Sequence, residues 1–288
     1  MVGLETIKTL KQECWGCGEP ASPDPTFGQL GYYSCSSCEL MFAPELDLEK
    51  LRELYDDSYF NQYPGVEEYE SDDSARQYEA DVRLDWMAQW ASDGTLLEVG
   101  SATGVFLDAA RSKGFAVVGV EPAKGVAQRA IDRYALTVHV GLIEDVELQP
   151  ESFDVVCGWH VLEHITRPRP TLQLMGGLLR PGGRVFFEVP NFASTMSRRL
   201  ALNWMPLDPQ HHVSQFGPSS LRTVMESAGF HDIQIDTIPF ALYTPSSRAI
   251  RDPKHAAYLA KYALTTGLHP RSPHPSKHEL LRVTASKP

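Results

Sequence analysis

The 288-residue sequence predicts an α/β chain: a mostly parallel sheet with an antiparallel seventh strand, preceded by a small metal-binding module. Three observations carry this expectation. Thr95 to Gly104, Thr-Leu-Leu-Glu-Val-Gly-Ser-Ala-Thr-Gly, is a short apolar run entering a glycine-bearing turn, and a helical pattern opens at Val105-Phe106-Leu107. Further on, short apolar runs alternate with helical patterns, as in βαβ units. Near the start, Cys14-x-x-Cys17 and Cys35-x-x-Cys38, separated by 17 residues, have the spacing of metal knuckles.

Residues 1–45 are expected to form a zinc ribbon. Four thiolates at this spacing suit tetrahedral zinc in a closed, structural site, with Cys14, Cys17, Cys35 and Cys38 as ligands. No thioredoxin-like pattern surrounds either pair, which speaks against a redox couple. Gly16 and Gly18 ease the first knuckle's turn, and Tyr32-Tyr33 and Leu40-Met41-Phe42 pack around the second. Cys157 lies in an apolar run and reads as a small core residue.

Residues 46–93 form a helical bridge or lid. Leu46 to Tyr55 reads as a short helix, followed by an irregular stretch with Tyr59, Phe60 and Tyr63. Tyr78, Val82, Trp86 and Trp90 then recur every four residues, which predicts one apolar stripe packed on the main sheet. Ser92-Asp93-Gly94 ends that helix.

Residues 94–288 carry the main domain. Gly100 permits the sharp turn after the first strand, and Gly104 lets the first helical turn approach whatever the loop holds. The dinucleotide fingerprint G-x-G-x-x-G fails here, because Ala102 and Val105 replace its second and third glycines. The phosphate loop G-x-x-x-x-G-K-[ST] is absent too. Glu98 at the strand end would repel a pyrophosphate and favours a cationic ligand. The second strand, Ala116 to Glu121, closes in an acid that can accept from both hydroxyls of a ribose.

The remaining elements follow in order. Lys124 to Tyr134 is a helix, Leu136 to Val140 the third strand and Phe153 to Gly158 the fourth. Helix Thr171 to Leu179 reaches a turn at Arg180-Pro181-Gly182-Gly183, and Arg184 to Val189 is the fifth strand. Residues 192–218 exceed a plain connection and suggest a lid insertion. Helix Ser220 to Ala228, strand His231 to Ile238, a second insertion at about 240–278 over the acceptor pocket, and strand Glu279 to Ala285 complete the chain.

Glu98-x-Gly100-x-Ala102-x-Gly104 resembles motif I of the class I S-adenosylmethionine-dependent methyltransferases, E/D-x-G-x-G-x-G, with Ala102 at the middle glycine. Phe153-Asp154 through Glu163-His164, and Leu178-Leu179-Arg180-Pro181-Gly182-Gly183 before Glu188-Val189-Pro190-Asn191, are similar to two further blocks of that family. The resemblance covers about residues 95–230. It implies a Rossmann-like sheet that binds S-adenosylmethionine through Glu98, Gly100, Ser101, Ala102, Gly104, Glu121 and Pro122. Leu142 and Ile143 would hold the adenine, with Glu144 or Asp145 accepting from its amino group, and Trp159 and His160 would lie nearest the methyl donor. A helix in the bridge lids the cofactor in such enzymes, which makes Tyr59, Phe60 and Tyr63 contact candidates. His164 is expected to brace its loop. His212, in an H-x-x-x-F pattern similar to a substrate-side element, is the first choice as general base, with His211 and His160 behind it.

The formal net charge of −11 argues against a general nucleic-acid binder. No apolar run approaches a membrane span and the N-terminus lacks a signal design, so a cytoplasmic, membrane-free protein is expected. Residues 44–85 hold 14 acids against 4 bases and residues 245–288 hold 8 bases against 2 acids, read as two solvated faces. A sharper reading has the basic tail meet an anionic substrate. The expected activity is methyl transfer to a small-molecule hydroxyl in secondary-metabolite or sugar modification. The alternatives are RNA or protein acceptors docked through the ribbon, and a non-catalytic cofactor-binding adaptor. Some sugar C-methyltransferases also pair a zinc module with this fold, with a further C-terminal domain for which these residues leave no room. Acceptor, methylated atom and oligomeric state stay open.

Overall fold

Four short strands come first in the computed structural model, which describes residues 12–44, 49–50, 52, 73–240 and 277–287. They are β1 (Gln12–Glu13), β2 (Pro20–Pro23), β3 (Tyr33–Ser34) and β4 (Met41–Phe42), all antiparallel to their neighbours. Each cysteine pair sits at a turn between two of them. Helix α1 (Asp73–Met87) leads to β5 (Gly94–Val99), α2 (Val105–Ser112), β6 (Phe115–Glu121), α3 (Lys124–Tyr134), β7 (Val138–Val140) and β8 (Phe153–Trp159). Then follow α4 (Pro168–Leu178), β9 (Leu179–Pro190), α5 (Thr195–Leu200), β10 (Ser214–Gln215), α6 (Pro218–Ser227), β11 (His231–Ile238) and β12 (Leu280–Ser286).

Seven strands form the main sheet in the order β11-β12-β9-β8-β5-β6-β7. The pairings from β7 to β9 are parallel, and β12 runs antiparallel between β9 and β11. Consecutive residues of the central strands face opposite layers. Leu97 and Val156 join a core with α4 and α6, whereas Leu96 and Val155 join one with α1 and α2. Burial on both faces explains why these strands read as unbroken apolar runs. The order reverses between β5 and β8, which opens a crevice at their carboxyl ends.

Three expectations change. The four-residue stripe holds in part: Val82, Trp86 and Trp90 pack on the main sheet's core, while a drift of about 40° per step leaves Tyr78 outside. Tyr78 is 36% exposed and Trp90 falls beyond the helix, while the buried face is Ala80, Arg83, Leu84, Trp86 and Met87. The turn at Arg180 to Gly183 is a bulge inside β9: Phe153 pairs with Leu179 but Val155 with Arg184, and the residues between bow outward. Helix α4 starts at Pro168, earlier than expected, since proline with its fixed φ suits a first helical position.

Residues 192–218 carry α5, capped by the Ser194 hydroxyl, which accepts from Ser197 N at 3.0 Å. They return through β10, which pairs antiparallel with β4. The N-terminal module thus becomes a five-stranded sheet, β1-β2-β3-β4-β10, completed by a strand from the main domain. The first knuckle packs on α6, where the Ser227 hydroxyl donates to the Gly16 carbonyl at 2.9 Å. There a Cβ on Gly16 would stand 2.9 Å from Val224, so Gly16 serves this close approach, while Gly18, at φ +81°, serves the knuckle's turn. Most of the Leu46 to Tyr55 helix, Tyr59, Phe60, Tyr63 and residues 241–276 lie outside the described residues. No helix among the described residues is long and apolar enough to cross a membrane.

Candidate active site

A cavity of about 780 Å³ occupies the crevice at the ends of β5, β6 and β8. That is the size of a site for a nucleoside-sized ligand with an acceptor beside it. Glu98, Gly100, Ser101, Ala102, Glu121, Pro122, Leu142, Ile143, Trp159 and His160 all line it. Gly104 lies behind the loop instead. A Cβ there would meet Leu136 at 2.6 Å and Ala130 at 2.9 Å, so this glycine lets α2 pack against its neighbours. Gly100, at φ +72°, would clash with Val161 if it carried a Cβ. Ala102 has φ +45°, the left-handed region, which is why a glycine is the natural residue there.

Two buried acids set the electrostatics of this half. Glu121 accepts from Ala102 N at 2.9 Å and from Ala123 N at 3.0 Å. Burial outweighs these bonds and pushes its carboxyl up to about 7. Glu98 is 3% exposed, and burial raises it well above the usual carboxylate range. Its Oε2, like the Ser101 hydroxyl, has no hydrogen-bond partner among the described residues. A buried, unpartnered carboxylate oxygen at a cavity wall asks for a cationic or hydrogen-bond-donating ligand. The donor set therefore fits S-adenosylmethionine, whose ammonium and sulfonium carry positive charge, and disfavours a pyrophosphate. Of the two acids after β7, Glu144 lines the cavity and accepts from the Thr171 hydroxyl, while Arg52 grips Asp145 through two bonds, at 2.6 and 2.9 Å.

Sequence reasoning missed the charged cluster under the cavity. Glu188 of β9, fully buried, receives Arg83 of α1 at 3.2 Å and Arg282 of β12 at 3.0 Å. Burial works against its ionisation, yet Arg83, His160 and Arg282 hold it well below the ordinary range. His160, at φ +57°, meets Glu163 through Nδ1 at 3.2 Å and Glu188 through Nε2 at 3.3 Å. Burial disfavours its charged form, but the two carboxylates prevail and lift it to about 9. The available signal was an arginine among apolar neighbours on the buried face of α1.

At the far end of the cavity stand His164, His212, Trp204 and Met205. His164 and His212 meet edge to face, ring centroids 4.6 Å apart. Burial first, and then the neighbouring His212, push His164 down to about 3, so it is neutral at ordinary pH. The Nδ1 of His212 lies 2.9 Å from the Pro206 carbonyl. A carbonyl only accepts, so Nδ1 carries the hydrogen in that contact. His211 pairs with Asp208 at 2.6 Å and does not line the cavity.

In the N-terminal module the Cys14 and Cys38 sulfurs are 3.5 Å apart and those of Cys17 and Cys35 3.6 Å. All four sulfurs lie within 4.8 Å of one another, and none forms a disulfide.

A Rossmann-like sheet with its crevice acids set for a cationic nucleoside defines a class I S-adenosylmethionine-dependent methyltransferase. Residues 73–235 match the family model for a methyltransferase domain, and the chain belongs to that family. Among curated proteins it is 28% identical over 161 residues to a ubiquinone biosynthesis O-methyltransferase of Idiomarina loihiensis, covering 50% of this chain and 65% of that protein. It is 32% identical over 151 residues to the C-methyltransferase NovU of Streptomyces niveus, covering 51% of this chain and 35% of NovU. The match thus spans less than two thirds of either relative. Among solved structures, an S-adenosylmethionine-dependent methyltransferase of Thermotoga maritima superposes with a TM-score of 0.58 at 19% identity, over 83% of this chain and all of that one. The phosphoethanolamine N-methyltransferase 2 of Haemonchus contortus, solved with S-adenosylhomocysteine, gives 0.53 at 16% identity, over 73% of this chain and 52% of that one. These likenesses establish the shared fold.

Proposed function

We propose that the protein methylates a hydroxyl of a small-molecule acceptor, with His212 as general base. The observation that carries this reading is the Nδ1 contact of His212 with the Pro206 carbonyl, which leaves a basic Nε2 on a side chain lining the cavity. His160 holds carboxylates at both ring nitrogens and has no lone pair to offer when charged. His211 sits outside the cavity lining.

The bound cofactor supplies a methyl group on a sulfonium, already activated for in-line displacement. The chain's own groups orient and dehydrate the site. The acids Glu98 and Glu121 anchor the nucleoside end, Leu142 and Ile143 flank the adenine, and Trp204 and Met205 wall the acceptor end. Holding acceptor and methyl group in register contributes much of the rate. The Nε2 of His212 takes the hydroxyl proton, which typically adds about 10²–10⁴-fold.

The four thiols fit a zinc ion. With Zn–S bonds of about 2.3 Å, a tetrahedral site has sulfur–sulfur edges of about 3.8 Å, close to the 3.5 and 3.6 Å observed. Such a site is closed and supplies no chemistry to methyl transfer. RNA or protein docking through the ribbon has less support, because the module packs on α6 at Gly16 and its β4 edge is taken by β10.

Turnover of S-adenosylmethionine against a panel of phenols and sugar hydroxyls tests the reading. His212→Ala should lose at least about a hundredfold in turnover while its affinity for S-adenosylhomocysteine stays within about twofold. Full turnover in that variant would remove His212 from the mechanism. Metal analysis should find one zinc per chain, and a metal-free protein would overturn the zinc assignment.

A further inference from the structure

The N-terminal module reaches the acceptor end of the cavity through hydrogen bonds that converge on one residue. Tyr32, fully buried just ahead of β3, donates its hydroxyl to the His212 carbonyl at 2.9 Å. Ala43, just past β4, donates its N–H to the Val213 carbonyl at 2.8 Å. Gln215, paired with Met41 across β4 and β10, donates from Nε2 to the Pro206 carbonyl at 2.8 Å. The same nitrogen lies 3.2 Å from the Tyr32 hydroxyl and 3.3 Å from the His212 carbonyl. Pro206 O is also the oxygen that fixes the His212 ring through Nδ1. Both the backbone and the imidazole of His212 are therefore registered against the module.

The metal ligands lie at the root of this arrangement. Cys35 follows β3 directly, and β4 begins three residues after Cys38. A metal ion tying Cys35 and Cys38 to Cys14 and Cys17 would hold the β3–β4 hairpin in one shape, and the edge of that hairpin carries β10. The cofactor acids stand on β5 and β6, in the other sheet. Disturbing the module should therefore reach His212 and spare cofactor binding.

We propose that the four-cysteine module is a positioning element for the base, with Tyr32 and Gln215 as positioning residues that lock the tautomer and direction of the His212 ring. This deepens the reading of His212 as base and of the four thiols as a zinc site. Its test needs no acceptor, so it stands apart from the choice of substrate.

The experiment uses the full chain, zinc-loaded and labelled with ¹⁵N-histidine, with the His212 signals assigned by their loss in His212→Ala. The two ring nitrogens should show a single tautomer with the hydrogen on Nδ1. Tyr32→Phe keeps the ring and removes the donor, and Gln215→Ala removes the link to Pro206. Each should convert the His212 signature to a tautomer average, while affinity for S-adenosylhomocysteine by calorimetry changes less than about twofold. Stripping Zn²⁺ with a chelator should do the same, and re-adding Zn²⁺ should restore the single tautomer. A His212 signature that stays locked in both variants would overturn the proposal, as would one that stays locked after zinc removal with cofactor affinity intact. Should zinc removal unfold the chain, the two zinc-loaded variants decide alone. Full turnover by His212→Ala would sink the base reading without altering this signature, so the two failures are told apart.

Discussion

Replacing Glu98 by glutamine tests the electrostatic premise of the cofactor site. Its carboxylate is buried, its Oε2 has no partner among the described residues, and it faces the cavity. A hydrogen bond to a charged group contributes about 1.5–3 kcal/mol, so Glu98→Gln should weaken S-adenosylhomocysteine binding by roughly 10- to 100-fold. The pH dependence follows from the same burial. Because desolvation raises Glu98 well above its ordinary range, the free site takes up a proton more readily than an exposed carboxylate does. A cationic ligand favours the carboxylate and expels that proton. Affinity should therefore rise with pH, approaching tenfold per pH unit for one linked proton. Glu121, raised to about 7, adds a second increase that levels off above that value, and Glu98→Gln should retain only this part. Calorimetry in buffers of differing ionisation enthalpy counts the released protons, with NAD and ATP as controls. Unchanged affinity in the variant, no proton release in the parent, or heat from NAD or ATP in place of S-adenosylhomocysteine would refute the reasoning.

Three further outcomes are expected. Ala102→Gly relieves a left-handed alanine and should stabilise the protein by about 1 kcal/mol, read as an upward shift of the denaturant midpoint at constant slope. Glu188→Gln removes the buried carboxylate that Arg83, Arg282 and His160 share and should cost about 3 kcal/mol, measured by the same melts. His160 is raised from 6.5 to about 9 on folding, so its stabilisation is fully present below pH 6.5 and lost as pH climbs through 9. The parent should lose stability over that interval relative to His160→Gln, and parallel curves would contradict the clamp.

Legibility in the sequence followed the range of the interaction. The loop from Glu98 to Gly104 could be read because strand, turn and helix are encoded by neighbours a few residues apart, and an acid closing an apolar run is visible in the string. The same holds for the alternation from β5 to β11 and for the paired cysteines. The stripe on α1 was legible at Val82, Trp86 and Trp90 and missed at Tyr78, because a four-residue repeat drifts around a helix and the core took Ala80, Arg83 and Leu84 there instead. The packing role of Gly104 was not legible because its crowded neighbours, Ala130 and Leu136, lie more than 25 residues further along the chain.

By itself, then, the amino-acid order determined the fold, the two strand-end acids that line the cavity and the four thiols, each a matter of local spacing that elementary geometry converts into shape. Only the tertiary structure joined Arg83 to Glu188 across 105 positions and Tyr32 to His212 across 180. It also separated three candidate histidines into one clamped between two carboxylates, one paired with Asp208 outside the cavity lining and one in the lining with Nδ1 on a backbone carbonyl. Partners so distant leave no periodic trace in the chain, because what brings them together is the packing of whole layers and not the conformation of any one segment.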